Sequence, residues 1–352
     1  MRKFVLAIKR IMQQDKSRRF SAKNVIQYVL MLALACVLLY YSFKGISWGE
    51  FVNSLSDCKW GWILLAIFVG FLEFSIRGYR WKMMLSQIDP ESSFWPSYHG
   101  VTIGNLANFA FPRVGEVIRC GVVSTLKKNT TFEGAVGTVV AERAWDLICL
   151  ITITVVFAAV CWNEFGEFFR NNMMDPASGK FTTSSLIVIF SVLAAIVLAF
   201  VLTYVFRDRL SKTKAGKKVV GFLSNMWKGM KAAFKMKHKW LFFLLTILLW
   251  GSFFLTSLFT IKAFPVLAGL GWKDALFLMV VGSLGWVVPV QGGIGAYHFI
   301  MALAASQIYA VPWNDGVVFA TISHESQAVS MILTGVISLI IYTVLKRKIQ
   351  PK

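Results

Sequence analysis

The chain has 352 residues, of which 57% are hydrophobic and 15% are charged, and its formal net charge is +20. A soluble globular domain is typically about 45–50% apolar and about 25% charged, so the composition excludes an ordinary soluble enzyme or binding domain. The apolar residues lie in long runs rather than short alternating segments, which predicts an all-α polytopic membrane protein and excludes an outer-membrane barrel.

Six apolar runs are long enough to cross a membrane, since a spanning helix needs about 20 residues. They cover residues 24–43, 60–78, 134–161, 183–206, 240–263 and 317–345. The first run is too long for a signal peptide. The five cysteines show no metal-ligand spacing. We therefore treat residues 24–345 as one transmembrane domain.

The excess of basic residues lies between the apolar runs, which indicates topology and anionic lipid rather than nucleic acid. Residues 1–23 and the loop 207–239 are basic and amphipathic, and residues 346–352 form a basic tail. Basic segments stay on the cytoplasmic side of a membrane. Both termini and the loop are therefore predicted to be cytoplasmic, in a multi-pass protein of the cell (inner) membrane.

Two further apolar regions, 96–119 and 274–310, are interrupted by asparagine, proline and glycine. The loop charges alternate correctly only if each region returns to the side that it entered. Both are therefore predicted to be re-entrant or broken-helix hairpins that enter from opposite faces. Opposed hairpins are typical of inverted-repeat transporters, whose sites form near the membrane midplane. The alternative is that both are ordinary distorted helices of a bundle.

The first interrupted region carries Asn105, Asn108, Arg113, Glu116 and Arg119. A charge inside a membrane costs roughly 2.5–3.5 kcal/mol on insertion scales, so such groups indicate ion pairs, a wet cavity or a ligand. Because a guanidinium fork binds two phosphate oxygens at once, Arg113 and Arg119 are candidate ligands of a lipid phosphate, with the two asparagines beside them. Glu116 shares their helix face and could balance their charge. The alternative is a structural salt-bridge cluster.

Glu142, Arg143 and Asp146 form a second charged group, early in the run 134–161. Glu142 and Asp146 are four residues apart and share a helix face. Two carboxylates on one membrane helix could meet a cationic headgroup, bind a cation or relay a proton. They could also simply neutralise the arginines of the first interrupted region.

Five further positions complete the candidate site. Gly292 and Gly293 could line a ligand groove, because no Cβ limits the approach of a ligand, or could merely form a hairpin tip. Glu73, His298 and Glu325 interrupt apolar spans and could carry protons, act in gating or be hydrogen-bonded structural residues. The sequence has no nucleophile elbow, Walker loop, HExxH motif or cluster of histidine ligands. Neither an enzyme nor a metal or cofactor site is predicted.

The order of these motifs resembles the lysylphosphatidylglycerol synthase transmembrane-region family, also called flippase-like domain proteins. The pattern from Asn108 to Arg119 is similar to the family's first motif, and Glu142–Arg143–x–x–Asp146 to its second. The glycine-rich break from Pro289 to Gly295 looks like the third motif, and the stretch from Arg77 to Trp81 is also similar. Each motif is short, but together they span most of the chain.

The resemblance implies movement of a lipid between leaflets, with an anionic phospholipid or a lipid-linked molecule as the substrate. The chain ends soon after its last predicted span, so we expect no soluble synthase domain and do not carry over the synthase activity. A separate lipid-synthesising enzyme would then be a partner, and a homo-oligomer is left open. His298 stands where the family often has glutamate, which leaves the substrate and any proton role open.

Two alternative functions remain at this point. The protein could be a membrane-embedded enzyme that modifies lipid headgroups, with Glu142 or Asp146 as its acid or base. It could instead be a non-transporting membrane partner of a lipid synthase or a glycosyltransferase.

Overall fold

The computed structural model describes residues 22–111, 114–127, 129–160, 213, 221, 231 and 233–349. Regular structure in that part of the chain is helical, without strands, which confirms the predicted all-α class. Arg113, the predicted span 183–206, nearly all of the amphipathic segment 1–23 and most of the loop 207–239 lie outside the described residues. Predictions on those parts stay predictions.

The described helices follow the chain in ten segments, with 3-10 turns at Pro265–Leu267 and Gln291–Gly293. They are α1 (Ala22–Phe43), α2 (Trp48–Ser56), α3 (Trp60–Leu85), α4 (Phe94–Ala110), α5 (Gly115–Leu126), α6 (Phe132–Val160), α7 (Lys239–Ala263), α8 (Trp272–Val287), α9 (Ala296–Tyr309) and α10 (Trp313–Ile349).

Three of the described helices, α3, α7 and α10, are long and apolar enough to cross a membrane. The pair α1 and α2 adds a fourth candidate span if it is counted as one broken helix, bent by 80°. The helices and their hydropathy thus confirm a multi-pass membrane architecture. The predicted number of six full spans is not confirmed.

Helices α3 and α7 pack side by side and run in opposite directions. The N–H of Lys59 donates to the carbonyl oxygen of Ala263 at 2.8 Å, at the start of α3 and the end of α7. Near the other end, the guanidinium of Arg80 lies over the ring of Phe242. Trp81, Phe242 and Leu85 are fully buried there. The C-terminal part of α3, with Arg80, is therefore buried against the N-terminal part of α7.

The first interrupted region forms a helical hairpin of α4 and α5. Its two helices approach most closely at Gly104 and Gly115, where a Cβ on either residue would meet the backbone oxygen of the other. The Oδ1 atom of Asn108 accepts a hydrogen bond from the N–H of Gly115 at 2.6 Å. This bond satisfies a free N–H at the start of α5, because the first turn of a helix has no backbone acceptors of its own.

The second interrupted region also forms a hairpin, of α8 and α9, with the 3-10 turn Gln291–Gly293 between them. A Cβ at Gly285 would lie 2.8 Å from the Cα of Tyr297, so α8 and α9 meet closely at a glycine. Three glycines at the turn, Gly292, Gly293 and Gly295, have φ values of 55°, 75° and 82°. Glycine adopts these conformations without the steric penalty that a Cβ would bring.

The two hairpins lie along opposite halves of α10. The first hairpin uses the C-terminal half: the ring of His99 in α4 is 3.0 Å from the Ser338 hydroxyl, whereas Phe109 near its tip stacks on His324. The second hairpin uses the N-terminal half.

In the second hairpin, a Cβ at Gly316 of α10 would lie 3.2 Å from the carbonyl oxygen of Ala302. At the tip, the carbonyl oxygen of Gly292 lies 2.8 Å from Nε2 of His324. A Cβ at Gly292 would also lie 2.6 Å from the ring of Phe109. The two tips therefore meet head to head at the middle of α10. Their re-entry into a membrane from opposite faces stays a prediction.

Candidate functional site

A cavity of ≈ 410 Å³ lies between the two hairpins, α3, α6, α7 and α10. Its charged wall comes from α3, α5 and α6, and consists of Glu73, Arg77, Glu116, Arg143 and Asp146. The part of the lining from α7 and α8 is mostly apolar, and its largest side chains are Trp250, Phe253, Trp286, Leu278 and Met279. The two parts adjoin, since the guanidinium carbon of Arg77 lies 5.9 Å from the ring centroid of Phe253. Helix α10 adds uncharged polar groups, namely Ser323, Gln327 and Ser330. A cavity lined by both charged and apolar side chains suits an amphiphilic ligand.

Behind the charged wall, Glu142 forms ion pairs with two arginines in a buried cluster. Its Oε1 atom lies 3.2 Å from Nη2 of Arg80, and its Oε2 atom pairs with Arg119. Arg80 also reaches Asp146 at 2.5 Å. The side chains of Arg80, Glu142 and Arg119 are 0%, 1% and 4% exposed. Two arginines and two carboxylates balance in charge, which removes much of the cost of burying them.

Trp81 helps to seal this cluster. The guanidinium carbon of Arg119 lies 4.0 Å from the centroid of a Trp81 ring, a cation–π contact. The indole N–H of Trp81 donates to the hydroxyl of Thr138 on α6 at 3.0 Å. Arg119 is therefore enclosed by Trp81 and Glu142, and it is not among the residues that line the cavity.

Apart from the contact of Asp146 with Arg80, the ions that line the cavity are paired much more loosely. Arg143 lies 3.7 Å from Asp146 and 3.9 Å from Glu116, and its side chain is 41% exposed. Arg77 lies 3.8 Å from Glu73. These separations exceed hydrogen-bond length. The Nε atoms of Arg77 and Arg143 and the Oδ2 atom of Asp146 have no hydrogen-bond partner within the described part of the chain. These buried atoms therefore have hydrogen-bonding capacity that their loose ion pairs do not use.

The two predicted asparagines line the cavity but also hold the first hairpin together. Asn108 donates from Nδ2 to Glu116 at 3.4 Å, in addition to accepting from the N–H of Gly115. Asn105 donates to the carbonyl oxygen of Val101 at 2.8 Å. Asn108 thereby fixes the position of the Glu116 carboxylate beside Arg143.

The structure brings together most of the site residues predicted from the sequence. Those that line the cavity are Asn105, Asn108, Glu116, Arg143, Asp146 and Glu73. Arg119 and Glu142 lie directly behind it, in the buried cluster. Gly292 and Gly293 lie at the tip of the second hairpin, outside the lining. His298 and Glu325 lie apart from the cavity, beside His324.

Sequence reasoning missed Arg80 as a site residue. Trp81 followed by Lys82 is typical of a membrane interface, so the sequence pattern favours the end of a span at this point rather than a site. Arg80 is instead fully buried, and its acid partner Glu142 lies 62 residues away in the chain. The available signal was its spacing of three residues from Arg77, which directs both guanidinium groups toward α6.

All the residues that line the cavity lie within the range matched by one family model. A family model described as "Lysylphosphatidylglycerol synthase TM region" matches residues 28–337, nearly the whole chain. The chain belongs to this family. The predicted resemblance is confirmed, and the matched range of the lysylphosphatidylglycerol synthase transmembrane-region family includes both hairpins and the cavity. Comparisons with curated proteins and with solved structures gave no match.

Membership of the lysylphosphatidylglycerol synthase transmembrane-region family agrees with the apolar helices. Together they establish a multi-pass membrane protein of a lipid-related family.

Proposed function

We propose that this protein moves the polar headgroup of a phospholipid, or of a lipid-linked molecule, between the two leaflets of the cell membrane. The supporting observation is the cavity between the hairpins, whose lining carries both charged and large apolar side chains. A bare bilayer opposes the passage of a charged group. The cavity would hold the headgroup while the acyl chains stay in the surrounding lipid.

Arg143 and Arg77 are the residues that we assign to the lipid phosphate. Both line the cavity, and both have an Nε atom without a hydrogen-bond partner within the described residues. Arg119, which the sequence singled out, is enclosed by Glu142 and Trp81 and would have to leave that cluster to reach a ligand. Its role is better described as holding α5 against α6, so that Glu116 faces Arg143.

The lining carries both signs of charge. Two arginines, Arg77 and Arg143, face three carboxylates, those of Glu73, Glu116 and Asp146, although Asp146 is shared with a buried arginine. A headgroup that carries an amine beside its phosphate would satisfy both signs at once, because each group would find an opposite charge. We therefore expect such headgroups to be moved faster than purely anionic ones.

The test is lipid transfer in vesicles that contain the purified full-length protein. Acyl-labelled fluorescent phosphatidylethanolamine and phosphatidylglycerol are compared, and dithionite added outside bleaches only the label that reaches the outer leaflet. The assay is run with and without a proton gradient, since no nucleotide site was found in the sequence. Transfer beyond the outer-leaflet pool supports the proposal, and a folded protein that gives none in either condition contradicts it.

Replacing Arg143 with glutamine should slow transfer about tenfold or more, since a hydrogen bond to a charged group contributes about 1.5–3 kcal/mol. The protein should still fold, because the side chain of Arg143 is 41% exposed. The matched control is Arg347→Gln, which makes the same change at an exposed position outside the cavity. Equal transfer rates for the two variants would exclude Arg143 as a headgroup ligand.

A further inference from the structure

A second group of chemically reactive side chains lies at the tip of the second hairpin, apart from the cavity. His298 at the start of α9 and His324 and Glu325 on α10 each place one ligand atom within 4.8 Å of the others. None of the three lines the cavity. The rings of His298 and His324 are 4.7 Å apart, centroid to centroid. Two imidazoles and a carboxylate form a ligand set that metal ions use.

The hydrogen bonds of His324 fix the chemistry of its two nitrogens. Nε2 lies 2.8 Å from the carbonyl oxygen of Gly292, and a carbonyl can only accept, so Nε2 carries the proton. Nδ1 of a neutral ring then bears a lone pair. It lies 2.9 Å from Oε1 of Glu325, which is also an acceptor. Either a second ring proton or a metal ion therefore lies between these two atoms.

His298 supplies the third ligand. Its side chain is 3% exposed, and its Nδ1 atom has no hydrogen-bond partner within the described residues. A buried polar atom without a partner costs free energy, so such atoms are rare in proteins and need an explanation. One nitrogen of this ring lies within 4.8 Å of the ligand atoms of the pair on α10, so a metal ion could give His298 the polar partner that it lacks.

The ring of His324 is held in a fixed orientation by its neighbours. It is fully buried, and it stacks on the ring of Trp286 at 5.2 Å and on Phe109 at 6.4 Å. A histidine that binds a metal through one nitrogen usually donates its other ring N–H to a carbonyl or carboxylate. The bond from Nε2 to Gly292 is of this kind, and it leaves Nδ1 as the coordinating atom.

We propose that His298, His324 and Glu325 bind one divalent transition-metal ion of the zinc class. Imidazole ligands suit zinc, copper, nickel and iron, whereas magnesium and calcium prefer sets made only of oxygen. The side chain of Glu325 is 50% exposed, which gives the ion a route of entry. The bound ion joins the tip of the second hairpin to the middle of α10. Sequence reasoning missed the site because His298 and His324 belong to different helices.

The test is metal binding by the full-length protein, purified without a histidine tag and stripped with a chelator. Zinc is titrated in competition with a chromophoric chelator, and elemental analysis gives the stoichiometry. We expect about one zinc ion per chain. Loss of a direct ligand in His298→Ala or Glu325→Gln should lower the affinity by more than the roughly 10–100-fold cost of removing a ligand's own hydrogen-bond partner.

Two features of the chosen variants protect the test against misfolding and nonspecific binding. Glu325→Gln preserves the shape of a half-exposed side chain, so it should fold even if His298→Ala does not. His238→Gln changes an exposed histidine outside the cluster and should bind zinc as the unchanged protein does. Absence of stoichiometric zinc, or unchanged affinity in a folded Glu325→Gln protein, would overturn the proposal. Neither outcome bears on lipid transfer.

Discussion

Replacing Glu142 with glutamine should destabilise the protein by about 3–5 kcal/mol, the usual effect of removing one partner from a buried ion pair. Glutamine keeps the size of the side chain but loses its charge. Arg80 would keep its contact with Asp146, whereas the buried Arg119 would lose the carboxylate that it contacts. The measurement is the temperature at which a thiol-reactive dye labels the buried Cys120, which follows Arg119 in α5.

The matched control for this prediction is Glu116→Gln. Glu116 also faces an arginine, but at 3.9 Å, and its side chain is 33% exposed. Exposed ion pairs contribute only about 0–1 kcal/mol, so this variant should label within a few degrees of the unchanged protein. If both variants become reactive at the same temperature, the buried cluster is not what stabilises the packing of α3, α5 and α6.

Replacing Gly115 with alanine should separate the two helices of the first hairpin. The new Cβ would press on the backbone oxygen of Gly104 and on the side chain of Asn108, closer than real Cβ atoms approach other atoms. An added methylene in a packed core typically costs about 1–3 kcal/mol, and we expect the upper end because backbone cannot rotate away. Labelling of Cys120 at a lower temperature measures the loss.

The same helix offers a matched control. Gly121 also lies in α5, but a Cβ there would meet nothing within 4 Å. Alanine is favoured over glycine inside a helix by about 1 kcal/mol, so Gly121→Ala should be neutral or stabilising. A similar loss of stability in both variants would show that helix propensity, rather than the contact between α4 and α5, controls the hairpin.

The interrupted helices could be predicted because their signals are local. Pro112 and Gly115 ended one apolar run, and the glycines from Gly292 onward ended another; the described helices break in the same two places. The run 134–161 likewise matches α6 closely. By contrast, α2 was not predicted. It has only 9 residues and no buried side chain, so its pattern is too short to be distinguished from a loop.

The partners within the site could not be predicted. The i,i+4 spacing of Glu142 and Asp146 placed both carboxylates on one face, which is correct, but it could not say that Arg80 on α3 would lie between them. In the same way, the pairing of His324 with the Gly292 carbonyl depends on how the second hairpin folds back on α10. Spacing along the chain determines faces of helices, whereas packing between distant helices determines which faces meet.

The meeting of the two hairpin tips has a consequence for motion. Phe109 of one tip presses on Gly292 of the other, and both touch the single ring of His324. The two tips are therefore in direct contact at this point, with one ring of α10 against both. In the proposed lipid transfer, withdrawal of either tip would remove a contact that supports the other. Movement of one hairpin relative to α10 would then be enough to change access to the cavity, without rotation of a whole domain.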